Sequence, residues 1–303
     1  MSKIYTINNR KMYVYTGNPN GIPILYIHGE PGIGVIEYES FLCGRFFEDY
    51  YLIAPEQRGV WRSQELDSEE DFDLDLIIED LEELRKVLNI DKWILLTHCL
   101  GARTAVKYYC KYPDNINFII FENPVFDSVS PFKEIIKIQL ALLKRNVPDK
   151  FEEYSNKLNE INNPYELENY CSSLEKLTGI ESNNITMSVE TIKKLSKLKE
   201  KFSIELFMRS RLTEIKMSHC IELYMPINNL IKEIKVPVMI IHGAKDITVP
   251  ESVISLLKEN ICECEVYTYD NCKHWVHLDD EDGYFRCVND YCMKMNKKRC
   301  NKK

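Results

Sequence analysis

The first hundred residues alternate between short apolar runs and one long amphipathic run. The apolar runs read KIYTI, KMYVYT, IPILYI and YYLIAP, and their β-branched and aromatic residues are typical of strands. Between residues 71 and 90 the apolar residues recur at helical spacing, at Leu74, Ile77, Ile78, Leu81, Leu84 and Leu88. Acidic residues occupy the positions between them and form a solvent-facing side. The pattern therefore predicts four strands followed by a helix.

The same alternation continues beyond residue 92, with the strand WILLT, a helix through about Lys111 and the strand NFIIFE. Strands that alternate with helices favour an α/β fold with a mostly parallel sheet covered on both faces. From residue 127 to 232 the chain is helical in character, as in PFKEIIKIQLALLKR, KFEEYSNKLNEI and SVETIKKLSKLKEKF. Then VPVMIIHG restores a core strand, followed by a helix, the strand EVYTYD and a terminal helix. We predict a core of residues 1–126 and 233–303, interrupted by a helical cap of residues 127–232.

Composition and charge narrow the class of protein. The 303 residues carry a net charge of −8, which gives no electrostatic grip on nucleic acid or an anionic membrane. The 11 cysteines are odd in number and contain no C-x-x-C pair, which argues against a disulfide framework or a zinc cluster. The amino-terminal residues show no signal-peptide pattern, and no apolar run is long enough to span a bilayer. We expect a cytoplasmic protein with free thiols that needs no metal or cofactor.

The stretch LLTHCLGARTAV, residues 95–106, joins a predicted strand to a predicted helix. Its residues Thr97 to Gly101 have the spacing of a G-x-S-x-G nucleophile elbow, a sharp turn that exposes a nucleophile above the sheet. Cys99 stands at the nucleophile position. The following helix would direct backbone N–H groups at the site and stabilise a thiolate or an oxyanion. Cys99 is therefore the candidate nucleophile.

A nucleophile of this kind needs a base and a group that orients the base. Asp246 follows the buried strand VPVMIIHG, and His274 follows the next strand, just before the last helix. The order of nucleophile, acid and histidine predicts a Cys99–His274–Asp246 triad. Asp127, which follows the strand NFIIFE, is the alternative acid.

The segment LYIHGEPGIG places His28, Gly29 and Glu30 directly after a strand. We predict an oxyanion hole made by the backbone N–H groups of Glu30 and Leu100. The predicted substrate site contains Gly29, His98 and Glu30. The Glu30 carboxylate either faces the mouth of the site, where it would receive a substrate amine, or turns outward to solvent.

Three further polar residues are expected to act on the core rather than on the substrate. His28 would anchor the oxyanion loop by hydrogen bonding. Gln57 and Arg58 would brace the loops at the edge of the core.

These motifs together resemble the α/β-hydrolase superfamily and, within it, the proline iminopeptidase branch. HGEPG stands for its H-G-G-P-G loop, PEQRGVWRSQ for D-Q-R-G-x-G-x-S, THCLGA for G-x-S-x-G-G, GAKDITVP for G-x-x-D-x-x-V-P, and CKH for the late G-H. The resemblance covers both core segments, whereas the helical segment matches the cap of that branch by position and type only. It implies the α/β-hydrolase fold and the acid and base roles of Asp246 and His274.

Four residues depart from the pattern of that branch. Cys99 replaces the serine, and Glu30, Trp61 and Thr97 each replace a glycine. A thiolate attacks thioesters and activated esters readily, and an acyl-cysteine is receptive to amines. The cysteine therefore shifts the expected activity away from a plain aminopeptidase.

Three functions remain open at this point. The first is a hydrolase that cleaves a small acyl or aminoacyl ester, thioester or amide through an acyl-enzyme. The second is an acyltransferase or thioesterase of a biosynthetic pathway. The third is a catalytically inert homologue that binds a ligand. In each case the expected partner is a small molecule, and the sequence does not indicate an oligomeric state.

Overall fold

The computed structural model describes residues 2–29, 34–46, 49–161 and 166–300. Its strands are β1 (Ser2–Ile7), β2 (Arg10–Thr16), β3 (Ile22–Ile27), β4 (Tyr50–Pro55), β5 (Trp93–His98), β6 (Ile116–Glu122), β7 (Val238–Gly243) and β8 (Cys264–Tyr269). They form one sheet in the order β1-β2-β4-β3-β5-β6-β7-β8. The last six strands in this order run parallel to one another. The β1–β2 and β2–β4 pairs are antiparallel. The predicted α/β class with a mostly parallel sheet is confirmed.

Helices occupy most of the remaining described chain. They are α1 (Ile36–Phe41), α2 (Leu74–Val87), α3 (Gly101–Lys111), α4 (Val129–Asn146), α5 (Pro148–Glu160), α6 (Glu166–Thr178), α7 (Ser182–Thr186), α8 (Val189–Lys199), α9 (Ile204–Ser218), α10 (Asn228–Ile231), α11 (Glu251–Asn260), α12 (Val276–Asp279) and α13 (Glu281–Cys300). The helix predicted between residues 71 and 90 is α2. Asp73 caps it by accepting the N–H groups of Asp75 and Leu76 at 2.8 and 3.3 Å.

The central strand β5 shows how the sheet is buried on both faces. Because successive side chains of a strand point to opposite faces, Trp93 and Leu95 pack with α2 and α3 in one apolar cluster. Ile94 and Leu96 pack in the other cluster, which includes residues of α13. Every residue of β5 is buried, as expected for an interior strand of a parallel sheet.

The elements from Val129 to Ile231 lie between β6 and β7, and we call them the helical insert. Contacts between α4 and α6 give the insert an apolar cluster of its own, which includes Ile136, Leu143 and Leu174. The insert also bonds to the core, because Thr213 on α9 donates to the carbonyl of Gly59 at 2.7 Å. The division of the chain into core and cap at residues 127 and 232 stays a prediction.

The loop that carries Trp61 shows how one departure from the family pattern is accommodated. Trp61 is fully buried and has a φ of +40°, in the left-handed region that favours glycine. Its ring packs edge-on against Phe202 at a centroid separation of 5.4 Å. The backbone N–H of Trp61 donates to Ser210 Oγ at 3.1 Å. The tryptophan therefore fills space between the core and the insert.

The described helices and cysteines bear on two expectations drawn from the sequence, namely the absence of a membrane span and the presence of free thiols. None of the helices in the described ranges combines the length and the apolar character that crossing a bilayer requires. The ten cysteines whose side chains are described are all free.

Gly101, the first residue of α3, lies where the helix crosses β3 closely. A β-carbon at this position would lie 2.3 Å from the carbonyl oxygen of Ile27 and 2.8 Å from that of His28. Backbone must shift to relieve this overlap, so Gly101→Ala is expected to lower the free energy of unfolding by about 3 kcal/mol. Urea unfolding monitored by circular dichroism measures the change.

Gly44→Ala is the matched control, because a β-carbon there meets no atom within 4 Å. Its free energy of unfolding should stay within about 0.5 kcal/mol of the parent value. Equal stability of the two variants would show that the approach of α3 to β3 is not as close as described.

Candidate active site

Cys99 lies in the turn between β5 and α3. Its φ of +54° is in the left-handed region, which a residue with a side chain adopts only when the surrounding structure holds it there. Two backbone hydrogen bonds do so: Cys99 donates to the carbonyl of Glu122, and Val125 donates to the carbonyl of Cys99, each at 3.1 Å. A β-carbon on Gly29 would lie 2.9 Å from that of Cys99, so this neighbour must be a glycine. The turn has the geometry that the elbow motif predicts.

His274 and Asp246 meet at the ends of β8 and β7. His274 Nδ1–H donates to Asp246 Oδ2 at 2.7 Å, and Thr248 Oγ1 lies 2.9 Å from the same nitrogen. Asp246 Oδ1 accepts both the hydroxyl and the backbone N–H of Thr248, at 2.6 and 2.8 Å. These contacts fix the imidazole orientation and leave Nε2 for other partners. The structure brings together the histidine and the acid that the sequence predicts.

His274 and Asp246 each favour the charged form of the other side chain. Burial lowers the pKa of His274, but the Asp246 carboxylate and the side chain of Cys99 outweigh burial and raise that pKa well above its ordinary value. Burial raises the pKa of Asp246, but His274 and Thr248 outweigh it and hold that pKa below its ordinary value. Cys99 is among the groups that raise the pKa of His274, so the side chains of Cys99 and His274 are close enough to interact.

The alternative acid, Asp127, has other partners. Its carboxylate accepts the N–H groups of Val129 and Ser130 at 2.9 and 2.8 Å, together with the Ser130 hydroxyl at 3.1 Å. It therefore satisfies the free N–H groups at the start of α4.

The loop after β3 is tied to the core by His28 and Gln57. The Gln57 N–H donates to His28 Nε2, and the Gln57 side-chain amide donates to the His28 carbonyl, each at 3.2 Å. Arg58 points elsewhere and makes two 2.8 Å hydrogen bonds to Asp80. These contacts agree with the bracing roles expected for the three residues.

The two predicted oxyanion donors are the backbone N–H groups of Leu100 and Glu30. Within the described chain, the N–H of Leu100 makes no hydrogen bond, and a β-carbon on Gly29 would lie 3.4 Å from that nitrogen. It is therefore available to a ligand beside Cys99. Glu30, including both its predicted backbone role and its predicted carboxylate role, lies outside the described residues.

A cavity of about 580 Å³ opens above Cys99 and extends into the helical insert. Gly29, His98, Leu100, Thr248 and His274 line its floor together with Cys99. Acidic residues outnumber basic ones in the described lining: Glu37, Glu168, Glu175, Glu181 and Glu214 against Lys199 and Arg211. Burial raises the pKa of the Glu37 carboxyl group to about 7, so the negative charge of this lining is carried mainly by the other four glutamates.

Glu168, on α6, is the acidic residue of the insert whose environment is most perturbed. Burial raises the pKa of its carboxyl group, and Arg211 only partly offsets this effect. No hydrogen bond to its carboxylate is found among the described residues. Glu175, by contrast, is already engaged, because it accepts the N–H of Ser182 at 2.7 Å.

Several residues of the site were missed by sequence reasoning. Thr248 could have been found, because a threonine two residues after an aspartate often closes a local hydrogen-bonded turn. Asn123, at the end of β6, donates to the carbonyl of His274 at 2.7 Å and accepts the N–H of Gly243 at 2.9 Å. It joins segments more than a hundred residues apart, and no local pattern announces such a contact. The same is true of Glu168.

Comparison with known proteins identifies the family. A family model described as alpha/beta hydrolase fold matches residues 22–281. The chain therefore belongs to the α/β-hydrolase fold family. This membership accounts for the shared location of Cys99, Asp246 and His274 at the carboxyl ends of parallel strands.

Within the α/β-hydrolases, the relatives of similar sequence include proteins named proline iminopeptidase. A Mycoplasma genitalium protein named "Putative proline iminopeptidase" is 37% identical over 115 residues, which cover 37% of this chain and 36% of that protein. The proline iminopeptidase of Neisseria meningitidis serogroup A is 29% identical over 107 residues, which cover 35% of this chain and 33% of that protein. The chain thus spans about a third of the length of the curated relatives that it matches.

Solved structures extend the likeness over the whole fold. The crystal structure of a Mycobacterium smegmatis proline iminopeptidase superposes with a TM-score of 0.71, covering 99% of this chain and 100% of that chain at 13% identity. At this identity the likeness concerns the fold alone. The support for a proline iminopeptidase-like branch comes from the two sequence relatives and not from this superposition.

Proposed function

We propose that this α/β-hydrolase cleaves a small acyl or aminoacyl ester, thioester or amide through a covalent acyl intermediate on Cys99. The observation that carries the proposal is the buried His274–Asp246 hydrogen bond of 2.7 Å beside a cysteine in the left-handed turn between β5 and α3. A histidine whose pKa is raised by both an aspartate and a cysteine is suited to hold the thiol proton. Reactive thiols are those that are thiolates at working pH.

The proposed mechanism follows from the direction of each hydrogen bond. Because His274 Nδ1 donates to Asp246, its Nε2 takes the proton of the Cys99 thiol. The thiolate sulfur then bonds to the substrate carbonyl carbon, and the oxyanion accepts a hydrogen bond from the N–H of Leu100. Collapse of this intermediate breaks the bond to the leaving group, which receives the proton from His274 Nε2.

The second half of the cycle releases the acyl group. Water loses a proton to His274 Nε2 and attacks the thioester carbonyl carbon, and the C–S bond breaks. The proton returns to the sulfur or stays on His274 as part of an ion pair. An amine that attacks in place of water would give acyl transfer, which the receptive thioester favours.

The negative lining of the cavity supports a substrate that carries a protonated amine or another cationic group. Like charges are excluded from such a site, and opposite charges are concentrated there. An aminoacyl group fits this requirement and the size of the cavity, about 580 Å³. We therefore place aminoacyl esters and thioesters first among the substrates, ahead of neutral acyl compounds.

The proposal is tested with a panel of matched thioesters, esters and amides that carry aminoacyl or plain acyl groups. Products are separated with and without an added amine, and the protein is examined by intact mass after rapid quenching. We expect a mass increase equal to the acyl group, located on the peptide that contains Cys99. Binding of panel members without any turnover or acylation would favour the catalytically inert homologue instead.

Glu168→Gln tests the role of the acidic lining. Removing a half-buried charge that faces a substrate amine should raise KM for aminoacyl substrates by about tenfold, since a charge-assisted hydrogen bond contributes about 1.5–3 kcal/mol. KM for the matched plain acyl substrates should stay within about twofold, because those molecules lack the cation. Initial-rate kinetics over a range of substrate concentrations measures both values.

Glu166→Gln on the same helix is the matched control, because Glu166 is exposed to solvent. It should leave both KM values unchanged. Equal effects of the two variants, or equal effects on both substrate classes, would remove Glu168 from the substrate site.

A further inference from the structure

A second group of titratable side chains lies next to the proposed catalytic residues and has no part in the mechanism. It consists of His98 at the end of β5, Glu122 at the end of β6 and His277 on α12. Their exposed fractions are 3%, 0% and 0%, so all three are cut off from bulk solvent. One donor atom from each lies within 4.8 Å of the donor atoms of the other two. The fold has therefore gathered two imidazoles and a carboxylate at one point.

Glu122 is the centre of the group. Its carboxylate accepts the backbone N–H and the Nδ1–H of His277 at 2.9 and 2.8 Å. His98 Nδ1 lies 3.4 Å from Glu122 Oε2. A single carboxylate thus faces both imidazole rings.

The pKa values of the two rings are shifted in opposite directions. Burial lowers the pKa of His98 to about 4, so this imidazole is neutral at pH 7. Burial also lowers the pKa of His277, but Glu122 outweighs it, and the net effect is a pKa raised above the ordinary value. A neutral ring is the form of histidine that binds metal ions, and the other ring carries one proton that a cation could displace.

Two ring nitrogens of the group, Nε2 of His98 and Nε2 of His277, have no hydrogen-bond partner among the described residues. His98 Nδ1 has the 3.4 Å contact with Glu122 Oε2. Buried polar atoms without a partner are uncommon, and each calls for an explanation such as an ion or a water molecule. His98 also lines the cavity above Cys99, so that cavity is the side from which a cation would approach the group.

We propose that His98, Glu122 and His277 form a binding site for a divalent transition-metal cation, with zinc as the best-matched ion. Two imidazole nitrogens and one carboxylate oxygen are a known set of three protein ligands for zinc, with a fourth position open to water or substrate. Imidazole donors favour zinc and its neighbours over magnesium and calcium, which prefer oxygen ligands. The cavity side of His98 would provide the open position.

Binding in this site requires a proton balance at His277. Zinc would bond to one nitrogen lone pair of each ring and to a Glu122 oxygen. Where His277 Nδ1 is the ligand atom, the proton that it now donates to Glu122 moves to Nε2 of the neutral ring. Affinity should fall at low pH, because a doubly protonated imidazole cannot coordinate.

The test uses the full chain with Cys99→Ala, because the thiol and His274 could themselves bind zinc. Zinc binding is followed by isothermal titration calorimetry in buffers of different ionisation enthalpy. Cobalt binding is followed by visible absorption. We expect one equivalent of cation, affinity that falls as the pH is lowered, and cobalt d–d bands without a sulfur-to-cobalt charge-transfer band. The readouts do not involve catalysis, so they are independent of the proposed function.

The deciding variant adds His277→Asn, since the asparagine amide can keep the hydrogen bond to Glu122. Affinity for zinc should fall at least about tenfold, while His219→Asn, at an exposed position directly after α9, should leave it unchanged. Thermal unfolding without metal shows whether each variant is folded. If His277→Asn does not fold, the stoichiometry of zinc binding and the cobalt spectrum of the Cys99→Ala chain decide the matter. Absence of binding, or binding that His277→Asn does not weaken, would overturn the proposal.

Discussion

Cys99→Ala is expected to lower kcat/KM for the best substrate by a factor of about 10⁴ or more, which is the usual cost of removing the nucleophile of a triad. The remaining rate would come from substrate binding and from the N–H of Leu100. The alanine fits the position of the cysteine, so the fold should persist. Steady-state kinetics on a purified, mass-verified protein measures the loss.

Cys262→Ala provides the control for this result, because Cys262 is exposed and lies far along the chain from the turn at Cys99. It should leave kcat/KM within about twofold, as expected for a surface position. Retention of more than a tenth of the activity by Cys99→Ala would mean that another group attacks the substrate.

Asp246→Asn is expected to lower kcat by about 10³–10⁴-fold with little change in KM. The asparagine can occupy the same space, but it lacks the negative charge that raises the pKa of His274. An amide that donates to Nδ1 would also turn the imidazole into the tautomer that cannot accept the thiol proton. Rates at several pH values separate this loss from a simple shift of the pH profile.

Asp127→Asn is the matched control, since Asp127 is the other acid that follows a core strand. Its carboxylate caps α4, so the expected cost is about 1 kcal/mol of unfolding free energy and no large loss of kcat. A large loss of kcat in Asp127→Asn together with normal activity in Asp246→Asn would reverse the assignment of the acid.

Much of the fold could be predicted because its signals are local. Each strand of a parallel sheet is a short apolar run, and α2 carries its buried residues at helical spacing with Asp73 at its start. The helix α1 was not predicted, since its six residues are too few for periodicity to be detected. The antiparallel pairing of β1 and β2 was not predicted, because the strand signals do not show which strands become neighbours.

Some residues of the candidate site could likewise be predicted from the sequence, and others could not. Cys99, Asp246 and His274 follow strands whose carboxyl ends share one edge, so their positions could be predicted from order alone. The contacts of Asn123 with the His274 loop could not, because they join residues 151 apart in the chain. Nor could the burial of Glu122 against His277, since nothing in NFIIFE distinguishes a buried carboxylate from a strand end.

The contribution of the helical insert to the site could not be predicted from the sequence. Its helices are amphipathic, and a glutamate such as Glu168 looks like any solvent-facing residue of the pattern. Only the packing of α6 against α4 turns it toward the cavity that contains Cys99. Substrate selection therefore depends on tertiary structure more than on any motif.

The most direct test of the central claim is the rate of alkylation of each cysteine against pH, measured by peptide mapping on the native protein and on His274→Ala. The account predicts that at about pH 6 Cys99 reacts far faster than the other cysteines, because His274 holds its proton and leaves a thiolate. In His274→Ala the rate at Cys99 should fall at least about tenfold, to that of an ordinary thiol. A Cys99 that reacts like its fellow cysteines in both proteins would contradict the account.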